Sequence, residues 1–181
     1  MSNAVRIFLV GMPGSGKSTV GKMLAQKLEL EFLDLDALII EQEGLSIAEI
    51  FERRGQDYFR EAEASALRSL ESKPGGLVVA TGGGAPCFLG NMDYLLSTGI
   101  AVYLKVSARE LLKRFTDEEL RVRPLLQNKS ETELLAYLTE TLAHREQFYK
   151  KAQVVVDTAG VSIETTVQVL EKQVLPCLHR F

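Results

Sequence analysis

The chain has little that would carry it out of an ordinary aqueous compartment or onto a polyanion. Its two cysteines, Cys87 and Cys177, are too few for a disulfide framework and lack the spacing of metal ligands. Both are expected to be reduced thiols that pack as small hydrophobes. There is no excess of positive charge. The net charge of −3 offers no global field to attract nucleic acid or an acidic membrane, so neither is expected as a partner. No apolar run approaches the roughly 18 residues that would span a bilayer. Met1-Ser2-Asn3-Ala4 leads into an apolar strand without a basic n-region or a small-residue cleavage site, and the expectation is a cytoplasmic protein. Repeats, low-complexity tracts and linkers are also missing. A chain of 181 residues can bury roughly 70% of its unfolded surface, so residues 1–181 are expected to form one domain.

What is present is an alternation. Five short apolar runs rich in β-branched residues, Val5–Val10, Glu31–Leu35, Leu77–Ala80, Ile100–Val106 and Gln153–Asp157, are separated by helical patterns. Runs without polar alternation suit strands buried on both faces, and intervening helices imply right-handed βαβ crossovers. Apolar stripes at three- and four-residue spacing, Val20, Met23, Leu24 and Leu28 in one helix and Leu134, Leu135, Leu138 and Leu142 in another, face such a sheet. The class is α/β, a three-layer αβα sandwich on a five-stranded parallel sheet. Two segments do not fit the sandwich. Residues 37–70 hold two or three helical stretches without a strand, broken near Glu43-Gly44 and Arg54-Gly55, and residues 116–130 are polar and charged around Pro124. Long excursions from a compact sheet are often binding segments or lids.

Gly11-Met12-Pro13-Gly14-Ser15-Gly16-Lys17-Ser18 fits the pattern G-x-x-x-x-G-K-[ST] between a strand and a helix, the context that pattern requires. The glycines let successive N–H groups turn inward onto phosphates, and the helix that follows adds its positive end. Gly14, Ser15, Gly16, Lys17, Ser18 and Thr19 are the candidate nucleotide-binding residues. Lys17 would reach the β- and γ-phosphates of ATP, and the Ser18 hydroxyl would ligate Mg²⁺. Asp34 and Asp36 end the second run. Read as strand residues two apart, they face the same way at the carboxyl end of the sheet, where ligands of open α/β sheets bind. One can hold Mg²⁺ through water, and the other can accept a hydrogen bond from an acceptor hydroxyl. Thr81-Gly82-Gly83-Gly84 closes the third strand. Three consecutive glycines cost chain entropy and suit a place where a ligand touches bare backbone.

With these motifs the sequence resembles the shikimate kinase family, over nearly the whole chain and in the family's order. Gly11–Ser18 is similar to its phosphate loop, Phe32–Asp36 to F-x-D-x-D, Phe59–Glu63 to F-R-x-x-E, Thr81–Gly84 to T-G-G-G, Arg123–Leu126 to the R-P-L-L of the lid, and Arg145 with Tyr149 to a late R-x-x-x-Y. The resemblance implies a P-loop nucleoside-triphosphate-hydrolase-like fold, with ATP and shikimate as substrates, Mg²⁺ as cofactor, and a monomer. It implies that Arg60 and Arg145 grip the shikimate carboxylate, which guanidinium does bidentately. Asp36, Glu63, Gly82, Gly83 and Gly84 would complete the acceptor site. Asp36 would meet the 3-hydroxyl, and Asp34 with Ser18 would organise Mg²⁺. Lys17 and Arg123 would neutralise the transferring phosphoryl group, while Arg114 and the loop Asp157–Gly160 would hold adenine. Two departures stand out: the lid segment carries Asp117, Glu118 and Glu119, and Gly55 is followed by Gln56-Asp57. His144 and His179 match no motif and are expected to be structural or surface residues. The alternative acceptor classes are those of other small-metabolite P-loop kinases, gluconate kinase-like or nucleoside monophosphate kinase-like. A nucleotide switch without transfer is the alternative outside enzymes.

Overall fold

In the computed structural model, which describes residues 5–115 and 129–178, the alternation of the sequence becomes an all-parallel sheet. The strands are β1 (Arg6–Val10), β2 (Glu31–Asp34), β3 (Leu77–Ala80), β4 (Ile100–Lys105) and β5 (Val154–Asp157), in the spatial order β2-β3-β1-β4-β5. Each expected run is a strand, shifted by at most one residue at an end. β1 and β3 are buried at every position, as strands covered on both faces must be.

The pleat sends alternate side chains to two separate cores. Ile7, Leu9, Val78, Val102 and Leu104 meet α1 (Lys17–Leu28) and the last helix, α7 (Ile163–Leu178), through Val20, Leu24, Val167 and Leu170. Phe8, Val10, Val79, Ala101 and Tyr103 face the other layer. That layer is α2 (Leu35–Glu43), α3 (Ile47–Ser69), α4 (Asn91–Thr98), α5 (Ala108–Arg114) and α6 (Glu131–Tyr149). Both predicted stripes lie on these cores. Val20 and Leu24 are buried with Met23 and Leu28 partly so, and Leu134 and Leu138 are buried with Leu135 and Leu142 alongside. Among the described residues no helix is long and apolar enough to cross a membrane.

The helical excursion is α2 plus α3. Gly44 ends α2 in a left-handed C-cap, Ser46 and Glu49 form a capping box that starts α3, and Gly55 (φ 82°) kinks α3. The breaks fall where the sequence marked them. After the kink α3 returns along the sheet, so that Phe59, Glu63 and Leu67 are buried and Arg60 is aimed at the carboxyl end of β3. Arg68 fixes this placement. Its guanidinium donates to Asn91 Oδ1 (2.9 Å) and Leu89 O (3.3 Å), while the fully buried Asn91 donates to Ala85 O (2.9 Å). The turn after the glycines is thereby tied to α3.

Candidate active site

The phosphate loop leaves β1 at Val10 and enters α1 at Lys17. Gly14 (φ 80°) and Gly16 (φ 92°) occupy the left-handed region that a side chain resists, which is why the pattern demands glycine there. Gly16 caps α1 without a side-chain hydrogen bond, whereas Ser107 and Ser130 cap α5 and α6 through their hydroxyls. The first N–H groups of α1 therefore remain directed into the loop, the arrangement that binds phosphate. Lys17 is buried, and its ammonium donates to Gly11 O (2.9 Å) and Met12 O (2.8 Å). Ser18 and Thr19 lie exposed in the first turn of α1.

The two aspartates require a correction. β2 ends at Asp34, and Asp36 belongs to the first turn of α2, so the shared strand face expected for them does not exist. Asp34 is instead the N-cap of α2. One carboxylate oxygen accepts from Asp36 N (3.1 Å) and the other from Ser18 Oγ (2.8 Å). A short polar side chain at this position ends a strand and starts a helix in one step. The two carboxylates nonetheless lie apart. Asp34 turns toward Ser18, and the helical turn swings Asp36 toward the glycines.

Gly82, Gly83 and Gly84 bring the acceptor side together. None has a positive φ, so the need for glycine is one of space. A Cβ on Gly82 would lie 2.8 Å from Glu63 Oε1 and 3.0 Å from Asp36 Oδ1. On Gly83 it would lie 2.6 Å from the Pro13 ring, and on Gly84 it would lie 2.6 Å from the Arg60 guanidinium. The triplet is the floor on which two carboxylates, the phosphate loop and Arg60 converge. Arg60 pairs with Glu63, its side chain 13% exposed and that of Glu63 1%. Burial pushes the Glu63 carboxyl up to about 7, against the pull of Arg60 and Arg145 and with a further push from Asp36. Arg145, half-buried on α6, acts on Glu63, Cys87 and Tyr149 alike. Thus Asp36, Arg60, Glu63, the glycines and Arg145, scattered over more than a hundred positions of sequence, form one cluster beside the phosphate loop.

On the opposite flank Arg114 donates to Thr158 O (3.1 Å) and reaches Ser15 O (3.5 Å), so it joins the phosphate loop to the loop after β5. Of the segment 116–130 expected to be a lid, residues 116–128, Arg123 among them, lie outside the described residues, as does His179. His144 is exposed on α6. Four residues of the cluster escaped the sequence reading as contributors. Pro13 packs on Gly83, and the Phe88 ring lies under the Arg60 guanidinium, 4.3 Å from centroid to carbon. The Cys87 thiol, pushed up to about 11 by burial, sits beside Arg145 and Arg60. The Tyr149 hydroxyl donates to Gly83 O. Only Tyr149 carried a signal, its place four residues after Arg145.

Ser18 Oγ and the Asp34 carboxylate also supply the donor set of a hard cation. Among the described residues no group of three or more His, Cys, Asp or Glu could hold a metal without help. Mg²⁺ does not need one, because it takes one or two protein oxygens and completes its shell with phosphates and water. The residues fit it.

The chain is similar to a shikimate kinase of Geobacter sulfurreducens, 46% identical over 92% of this chain and 88% of that protein. It is 40% identical to a shikimate kinase of Parabacteroides distasonis, over 96% of this chain and 99% of the other. Among solved structures, shikimate kinase from Acinetobacter baumannii in complex with shikimate is 35% identical and superposes with a TM-score of 0.85, covering 97% of this chain and 95% of that one. The family model for shikimate kinase matches residues 13–174, from the phosphate loop to the last helix, and the chain belongs to the shikimate kinase family.

Proposed function

We propose that the cluster beside the phosphate loop is the shikimate site, and that the residues gathered there divide the work of phosphoryl transfer as follows. The reaction is phosphorylation of the 3-hydroxyl of shikimate by ATP, giving shikimate 3-phosphate and ADP, a step on the route to aromatic amino acids. Phosphoryl transfer asks little covalent chemistry of the protein; positioning and charge neutralisation supply most of the rate. The phosphate loop and the N-terminus of α1 hold the β- and γ-phosphates, with Lys17 placed to follow charge as it moves to the leaving oxygen. Ser18 and Asp34 would hold Mg²⁺, which when bound would supply positive charge against the phosphates. Arg60 and Arg145 grip the shikimate carboxylate, and Glu63 orients Arg60 within that grip. Asp36 accepts the hydrogen bond of the 3-hydroxyl and directs that oxygen at phosphorus. Arg114 and the loop after β5 flank the adenine. Arg123, on the lid 116–130, completes the site once both substrates are bound, which keeps water from becoming the acceptor. The enzyme works as a cytoplasmic monomer.

The observation that carries this reading is the convergence of two arginines and a buried glutamate on the glycine floor beside the phosphate loop. A carboxylated polyol satisfies both charge signs there. Gluconate shares the carboxylate without the ring, and a nucleoside monophosphate offers phosphate and a flat base. Coupled ADP release should therefore require shikimate in a panel holding all three acceptors with MgATP. A faster rate with gluconate or a nucleoside monophosphate, or equal release with no acceptor, would refute the assignment.

A further inference from the structure

The phosphate loop and the glycine floor must be held at a fixed separation if the γ-phosphate is to meet the acceptor oxygen, yet little backbone joins them. The last ladder contact between β1 and β3 is Thr81 N to Leu9 O (3.1 Å). Beyond it, among the described residues, no backbone hydrogen bond links 11–16 to 82–84. The two segments are joined by side chains. The Pro13 ring fills the space in which Gly83 would carry a Cβ. From the far side, the Tyr149 hydroxyl donates to Gly83 O and lies 3.9 Å from Met12 Sδ.

Tyr149 is built to hold still. It is the last residue of α6, fully buried, and its ring stands 5.2 Å from that of Tyr103. Tyr103 in turn pairs with Val10, the residue from which the phosphate loop departs. Burial pushes the Tyr149 hydroxyl above its ordinary range, with Arg145 beside it pulling the other way, so the group keeps its proton and remains a donor at neutral pH. One side chain thus touches the phosphate loop, the glycine floor, and the strand that anchors the first. It also ends the helix that carries Arg145.

We propose that Tyr149 is a positioning residue: its hydroxyl ties the glycine floor to the phosphate loop and so sets the distance between the phosphoryl donor and the hydroxyl that receives it. The inference rests on the functional reading above but makes a separate demand. A residue that shapes only one substrate's site changes that substrate's KM. A residue that sets the distance between two sites changes kcat, because each ligand still binds while the reacting atoms no longer meet well.

Tyr149→Phe keeps the ring and removes the hydroxyl, and with it both the tie to Gly83 O and the contact with Arg145. kcat should fall by about ten- to a hundredfold, the cost typical of slight misplacement, with KM for MgATP and KM for shikimate both near wild type. An unchanged kcat, or a loss confined to KM for shikimate, overturns the inference. Amide hydrogen exchange supplies a readout that does not need turnover. Filling the phosphate loop with MgADP should slow exchange at residues 82–84 in the wild type and fail to do so in Tyr149→Phe. Equal protection in both proteins overturns the tie, as does a wild type in which MgADP leaves 82–84 unaffected. That last arm holds even if the variant does not fold. A wild type that fails to phosphorylate shikimate refutes the functional reading instead, and the exchange experiment still decides the tie.

Discussion

The phosphate loop and the acceptor cleft lie side by side at one end of the sheet and are built on opposite terms. The loop is local. Its eight residues are contiguous, its glycines are there for conformation, and Lys17 is steadied by carbonyls only five and six residues away. The cleft is assembled from afar. Its glycines have ordinary backbone angles and are small because Glu63, Asp36, Pro13 and Arg60 press against them. One substrate site is therefore specified by local backbone geometry and the other by long-range packing. Substitutions in the two should fail differently.

The largest effect is expected in the loop. Lys17→Met removes the charge proposed to follow the transferring phosphoryl group and should cost several kcal/mol of transition-state stabilisation, leaving well under a tenth of wild-type kcat. Retention of more than that would break the comparison at its stronger side.

The aspartates straddle the two regions and come next. If Asp36 acts at the reacting oxygen as proposed, Asp36→Asn should lower kcat by about a hundredfold or more and weaken shikimate binding, while MgADP titrates calorimetrically as in the wild type. Asp34→Asn should raise the Mg²⁺ concentration needed for half-maximal rate and disturb the start of α2. Loss of nucleotide affinity in Asp36→Asn with shikimate binding intact would reverse the two roles.

Gly84→Ala sharpens the comparison further, because the methyl group it adds meets the Arg60 guanidinium first, 2.6 Å away. Displacing a charge-assisted contact costs roughly 1.5–3 kcal/mol, so KM for shikimate should rise by at least tenfold. KM for MgATP should not move; if it rises equally, the two sites are not separable in the way their geometry implies.

The smallest effect concerns pH. Glu63 titrates near 7 in the folded protein, against an ordinary 4.5. Between these values the folded state binds more protons than the unfolded state, so stability falls as pH rises through the window and levels off above it. Glu63→Gln has no such titration. Its Tm should drop less than that of the wild type between pH 5 and pH 8, by about 5–10 °C at this chain length. Parallel curves would mean that Glu63 ionises normally.

The contrast between the regions also explains what could be read from sequence. The strands, both helix stripes, the breaks at Gly44 and Gly55 and the phosphate loop are legible because each is decided within a few residues. The arginines and Glu63 were identified only through resemblance, since nothing near Arg60 in sequence shows that it meets Gly84. Asp36 was placed on a strand because the period-two spacing of Asp34 and Asp36 looks the same whether or not Asp34 starts a helix. An aspartate at a strand end is also a common N-cap, so both readings fit the sequence, and the bond from Asp36 N decides between them. Phe88 and Cys87 left no mark, because an aromatic ring under a guanidinium and a buried thiol are indistinguishable from core residues in sequence.

The central claim is that two arginines hold the acceptor by its carboxylate, and methyl shikimate tests it with the protein unaltered. The ester keeps the ring and every hydroxyl but loses the anion. Each charge-assisted contact it gives up is worth roughly 1.5–3 kcal/mol, so kcat/KM for the ester should fall by at least tenfold, and by much more if both arginines lose their partner. Equal kcat/KM for acid and ester would contradict the account.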